Sequence, residues 1–103
     1  IGSPGGSRII TAVVQIILNI VDFEQSLEEA TESKRIHHQW YPDDIDIEEN
    51  YNQLNQLIDL GYKVDLIDTA TCTQSIMMDN GEFIGVSDLR RPDSLALGVK
   101  NDW

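Results

Sequence analysis

Cysteine occurs once in the 103 residues, as Cys72. No internal disulfide is therefore possible, and the redox compartment cannot be read from the chain. Cations are scarce as well: seven Lys and Arg stand against 18 Asp and Glu, a formal net charge of -11. Such a field repels nucleic acid and anionic membrane surfaces, so neither is expected as a partner. The simplest use of the acidity is solubility. The apolar run Ile9 to Val21 falls short of the roughly 20 residues that cross a bilayer, and no membrane insertion is expected. Internal repeats and low-complexity tracts are missing, and no signal peptide is present, although a chain lacking its natural start could not show one. The first residue is Ile1 and not Met, which raises the expectation of a piece of a longer protein. What remains is 41% hydrophobic and 24% charged, a globular composition, and the length allows one domain spanning residues 1–103.

In Ile9 to Asp22, β-branched residues favour strand one by one. The polar positions decide otherwise. Thr11, Gln15 and Asn19 recur every four residues and Asp22 follows three later, a single stripe on a helix. The rest of that helix is apolar almost all round, so burial on several sides is expected. Ser26-Leu27-Glu28-Glu29 is a capping box that predicts a short helix from Leu27 to about Lys34. Lys34 and Arg35 suit its negative end. Ile36 to Trp40 reads as extended, stopped by Tyr41-Pro42-Asp43. Ile45 and Ile47 alternate with Asp44, Asp46 and Glu48 as a short half-buried strand. Leu54, Leu57 and Ile58 predict a helix from about Tyr51 to Leu60 with Gly61 just beyond its end. Val64 and Leu66 mark the next strand. Gln74 to Met78 and Phe83 to Ser87 flank Asp79-Asn80-Gly81-Glu82, a hairpin signal.

Chemistry is harder to find. Gly2-Ser3-Pro4-Gly5-Gly6-Ser7-Arg8 precedes the first helix, and glycines there let backbone N–H groups approach a ligand closely. With a helix N-terminus behind it, the loop suits an anion or a developing oxyanion. It lacks the Lys-Ser/Thr ending of a phosphate loop and the G-x-G-x-x-G spacing, so by spacing alone a tight turn is the simpler reading. His37 and His38 are adjacent and point to opposite faces of a strand, so a packed, hydrogen-bonded histidine is expected in place of a metal ligand. Asp43 to Glu49 lacks the turn glycine of a calcium loop and reads as a solvated strand face. No metal or cofactor is expected. Ser, His and Asp show no triad spacing, and Cys72 has no neighbouring cation to activate it. The alternating charges of Asp88-Leu89-Arg90-Arg91-Pro92-Asp93 are expected to form ion pairs closing the hairpin.

Gly2 to Ile10, Glu29-Ala30, Arg35 to Trp40, Pro42-Asp43, Gly61 to Val64, Gln74 to Ile76 and Gly85 to Asp93 follow one another in an order that resembles the small subunit of γ-glutamyltranspeptidases. The resemblance covers essentially the whole chain. It implies an α+β fold: part of the four-layer αββα sandwich of N-terminal-nucleophile hydrolases, with helices packed on a mainly antiparallel sheet. It also implies an enzyme of glutathione metabolism in which an N-terminal threonine, activated by its own amine, takes the γ-glutamyl group as an acyl-enzyme. Gly5 and Gly6 match the family segment whose consecutive N–H groups form the oxyanion hole and contact the γ-glutamyl substrate. No threonine in this chain stands at an N-terminus. The implied partners are therefore the upstream part of the small subunit and the large subunit, and the isolated chain is expected to be inactive and to self-associate. A periplasmic or extracellular location is expected on the resemblance alone. Two alternatives stay open: a related amidohydrolase acting on cephalosporin side chains or poly-γ-glutamate, and a non-catalytic interaction module.

Overall fold

The computed structural model describes residues 1–99. Eight elements follow in the expected order: α1 (Arg8–Val21), α2 (Leu27–Glu32), β1 (Ile36–His37), β2 (Ile45–Glu48), α3 (Leu54–Asp59), β3 (Val64–Ile67), β4 (Gln74–Asp79) and β5 (Glu82–Ser87). The strands form two sheets. In the first, β1 runs antiparallel and β3 parallel to the central β2; in the second, β4 and β5 form an antiparallel hairpin. Two of the three pairings are antiparallel, as expected, and β2–β3 is the exception. Its crossover is α3, which connects two parallel strands as that geometry requires.

Local chemistry explains most boundaries. Ser26 Oγ accepts the Glu29 N–H at 3.1 Å and starts α2. Asn80 and Gly81 both take positive φ, 51° and 81°, the requirement of a tight two-residue hairpin turn. Gly61, with φ 91°, ends α3. Three elements are shorter than expected, the first being α2, which stops at Glu32 because Ser33 leaves the helical conformation at ψ 139°. The helix anticipated from Tyr51 begins at Leu54, because Gln53 at its N-cap offers no side-chain hydrogen bond and none of its residues is buried. The extended run anticipated to Trp40 pairs only over Ile36 and His37, since Trp40 takes a left-handed φ of 73°.

The core lies where α1, α2 and the hairpin meet: Ile16, Leu27 and Ala30 are buried, with Ile20, Met77 and Val86 packed on them. The polar stripe of α1 is turned inward. Gln15 donates to the Ile36 carbonyl at 2.7 Å and accepts the Ile36 N–H at 2.9 Å, so one side chain satisfies both backbone groups of the β1 residue. Thr11 Oγ1 lies 2.8 Å from His37 Nδ1. The apolar stripe Ile10, Val14, Ile17 and Val21 faces outward, and Ile10 and Val21 are each 70% exposed. The expectation that α1 is buried on several sides is thus corrected for this chain. Its hydrogen-bonding residues seek β1, and among the described residues nothing covers the opposite face.

Candidate functional site

The segment before α1 turns through two glycines, Gly5 at φ 121° and Gly6 at φ 60°. Their carbonyls accept the first helical N–H groups: Arg8 N–H donates to Gly5 O at 3.2 Å and Ile9 N–H to Gly6 O at 3.1 Å. Their own N–H groups donate to no other described residue, and both glycines are exposed. Two consecutive free donors therefore stand at the positive end of a 14-residue helix. The two glycines are required differently. A Cβ on Gly5 would stand 3.1 Å from Thr71 Oγ1, so a side chain there would crowd Thr71 as well as strain the backbone. Gly6 has open space where a Cβ would lie, and only its left-handed backbone disfavours substitution.

Three anchors fix the loop. Gly2 exchanges two backbone hydrogen bonds with Gln74 at the start of β4, both 2.9 Å. Thr71 Oγ1 donates to the Pro4 carbonyl, with Ser3 Oγ 3.0 Å from Thr71 Oγ1 and 2.8 Å from the same carbonyl. On the helix side, Ser7 Oγ donates to Gln39 Oε1 at 2.8 Å. That oxygen also receives His37 Nε2 at 2.9 Å, which leaves His37 Nδ1 to accept from Thr11. His37 is buried, and both its nitrogens are engaged. It is the packed, hydrogen-bonded histidine anticipated. His38 lies 3.0 Å from the exposed Asp43. Among the described residues no three His, Cys, Asp or Glu side chains gather into a group able to hold a metal.

Behind the loop lies a buried ionic cluster. Arg35 Nη1 contacts Asp88 Oδ2 at 2.8 Å, Arg90 Nη1 contacts Asp88 Oδ1 at 3.1 Å, and Arg90 binds Glu48 through Nε at 2.7 Å and Nη2 at 2.6 Å. Two cations face two anions, and this neutrality makes their joint burial tolerable. Burial alone would raise both carboxyls. For Glu48 the hydrogen bonds from Arg90, the Ala70 N–H and the Arg35 N–H win, and its pKa is held below the ordinary value. For Asp88 the N–H groups of Arg90 and Thr73 and the Arg35 charge do the same. Burial and repulsion from Arg90 lower Arg35, whereas Glu48 and Asp88 outweigh burial and raise Arg90. The cluster also pins the backbone of residues 70–73. Ala70 N–H donates to Glu48 at 2.9 Å, Arg35 donates to the Thr71 carbonyl at 3.0 Å, and Thr73 N–H donates to Asp88 at 2.9 Å.

Two sequence expectations are corrected by this arrangement. Glu48 does not belong to a solvated strand face: it is 1% exposed, and Asp46 pairs with Arg8 at 2.9 Å. Asp88 and Arg90 do form ion pairs within the chain, but these reach β2 and Arg35; what ties the open end of the hairpin is the hydrogen bond from Thr73 N–H to the Asp88 carboxylate. Arg35 and Arg90 also both donate to the Thr31 carbonyl in the last turn of α2, at 2.9 and 2.8 Å. Arg35 therefore serves that helix end as expected.

Helices over antiparallel-rich sheets give the chain the α+β architecture of the N-terminal-nucleophile hydrolases it superposes on. The chain belongs to the γ-glutamyltranspeptidase family, whose model matches residues 1–98. It is 45% identical over 100 residues to the glutathione hydrolase proenzyme of Escherichia coli, covering 94% of this chain and 17% of that protein. It is 38% identical over 96 residues to glutathione hydrolase proenzyme 1 of Schizosaccharomyces pombe, covering 88% and 15%. A highly active mutant of the Pseudomonas nitroreducens γ-glutamyltranspeptidase superposes with a TM-score of 0.87 at 31% identity, covering 97% of this chain and 54% of that one. A mutant of the Helicobacter pylori γ-glutamyltranspeptidase gives a TM-score of 0.77 at 33% identity, covering 87% and 52%. The chain thus spans about a sixth of the length of these curated relatives and about half of the structurally similar chains.

Proposed function

We infer that the chain is the part of a γ-glutamyltransferase or glutathione hydrolase that supplies the oxyanion hole, through the N–H groups of Gly5 and Gly6. The observation that carries this reading is the pair of consecutive, unpaired, exposed N–H groups on a loop anchored at both ends. In this reading a threonine contributed by the rest of the protein attacks the γ-glutamyl carbonyl carbon. The carbonyl π electrons move onto oxygen, and the two glycine N–H groups meet the charge as it forms. Collapse expels the amine, which takes the proton that the threonine hydroxyl gave up to its own α-amine. The acyl-enzyme that remains is opened by water or an acceptor amine through a second tetrahedral state at the same donors. Donors fixed before the reaction need no reorganisation at either step. Losing one donor of this kind costs about 3–4 kcal/mol, or a factor of roughly a hundred to a thousand in kcat.

The rest of the protein is also part of this proposal. The outward apolar stripe of α1 and the edge of β4 beyond Gln74 are surfaces for the remaining small subunit and the large subunit to cover. A periplasmic or extracellular location belongs to the same reading. The test is release of chromophore from a γ-glutamyl anilide. The complete protein is expected to turn over, Gly6→Val is expected to depress kcat about a hundredfold, and the 103-residue chain alone should release nothing above a buffer blank. Unchanged kinetics in Gly6→Val would return the loop to a mere turn, and turnover by the repurified chain would refute the division of the site.

A further inference from the structure

We propose that Thr71 is a positioning residue for the oxyanion hole, fixing the peptide plane that carries the Gly5 N–H. The inference rests on the role given above to Gly5 and Gly6 and extends it to a side chain far away in sequence.

The Pro4–Gly5 peptide is trans, because the only cis bond among the described residues is Tyr41–Pro42. In a planar trans peptide the C=O of one residue and the N–H of the next point in opposite directions. A group that grips the Pro4 carbonyl therefore aims the Gly5 N–H to the far side. Thr71 Oγ1 is that group. It donates to Pro4 O, and Ser3 Oγ completes a triangle with both oxygens at 3.0 and 2.8 Å. Without this grip the peptide plane of a glycine at φ 121° has little to hold it, since no Cβ restricts its rotation.

Thr71 is itself held firmly. Arg35, 1% exposed, donates to the Thr71 carbonyl at 3.0 Å, and the neighbouring Ala70 and Thr73 N–H groups are bound by Glu48 and Asp88. The buried cluster thus sets the Thr71 backbone, Thr71 sets the Pro4 carbonyl, and that carbonyl sets the Gly5 donor. Thr71 also packs closely on Gly5, with its Oγ1 at 3.1 Å and its Cβ at 3.4 Å from where a Gly5 Cβ would lie. The Gly6 donor is held locally instead, since Arg8 N–H binds the carbonyl of the same peptide plane, Gly5 O, at 3.2 Å.

The test uses the complete processed protein with a γ-glutamyl anilide as donor. Thr71→Val keeps the branched shape and removes the hydroxyl. It is expected to lower kcat about ten- to a hundredfold while KM stays within about twofold, because a misaimed donor weakens the transition state more than the bound ground state. Thr71→Ser retains the hydroxyl and is expected to restore most of kcat, which a merely structural role for the methyl group would not allow. If Thr71→Val does not fold, Thr71→Ala carries the same expectation. Wild-type kcat in both hydroxyl-free variants, equal losses in the serine and valine variants, or a proportional rise in KM would overturn the proposal. Gly6→Val separates the two levels. If it loses turnover while Thr71→Val does not, only the role of Thr71 falls; if neither loses turnover, the oxyanion reading falls as well.

Discussion

Glu48→Gln is a nearly isosteric change that tests how the buried cluster holds the chain together. The carboxylate accepts four hydrogen bonds, from Arg35 N–H at 2.7 Å, Ala70 N–H at 2.9 Å, and Arg90 Nε and Nη2 at 2.7 and 2.6 Å. An amide offers one oxygen and one NH2, so one half of the site would set donors against donors. It would also leave Arg90 with Asp88 as its only anion within 4 Å among the described residues. Breaking a buried pair by removing one partner costs about 3–5 kcal/mol. A domain of this size has roughly 5–15 kcal/mol in total. With a urea slope of about 1.5 kcal/mol/M, the unfolding midpoint is expected to fall by about 2–3 M. Both proteins must be compared at one concentration, because any association shifts the midpoint. A midpoint lowered by less than about 0.5 M, with an unchanged slope, would show that the cluster contributes little and that the loop does not depend on it.

Acid should unfold the chain through the same residues. The folded-state pKa values of Glu48 and Asp88 lie below the ordinary 4.5 and 3.8, so the unfolded chain binds protons first as pH falls. Their stabilisation is complete above about pH 4.5 and is lost as pH drops through the depressed values; a urea midpoint that stays constant from pH 6 to pH 3 would contradict this. The exposed stripe of α1 is expected to make the isolated chain a dimer or larger despite its charge of -11. Monomeric mass by light scattering at micromolar concentration, with a cooperative thermal transition, would count against that.

Local signals were legible in the sequence where the physics is local. Asn80-Gly81 needs two positive φ angles and receives them, Ser26 caps the helix its spacing announces, and Gly61 ends α3. The four-residue recurrence of Thr11, Gln15 and Asn19 identified α1 against its β-branched composition. The direction of that stripe was not legible, because periodicity says which residues share a face but not what the face meets. Glu48 shows the same limit. Alternation with Ile45 and Ile47 gives it a polar face, yet the partner that buries it, Arg90, lies 42 positions later. The glycine loop was visible as a possible anion site. Its dependence on Thr71 had no signal, since a contact between Pro4 and a threonine 67 residues away leaves no periodic or motif trace.

The central claim is that Gly5 and Gly6 receive the oxyanion, and the geometry of a tetrahedral adduct tests it most directly. A crystal structure of the complete protein carrying a γ-boronate analogue of the glutamyl group on its nucleophile would locate the oxygen that stands for the oxyanion. The account requires that oxygen at about 2.7–3.1 Å from both the Gly5 and the Gly6 nitrogens. An adduct whose oxygen is bound by other donors, with either glycine N–H turned away from it, would contradict the account.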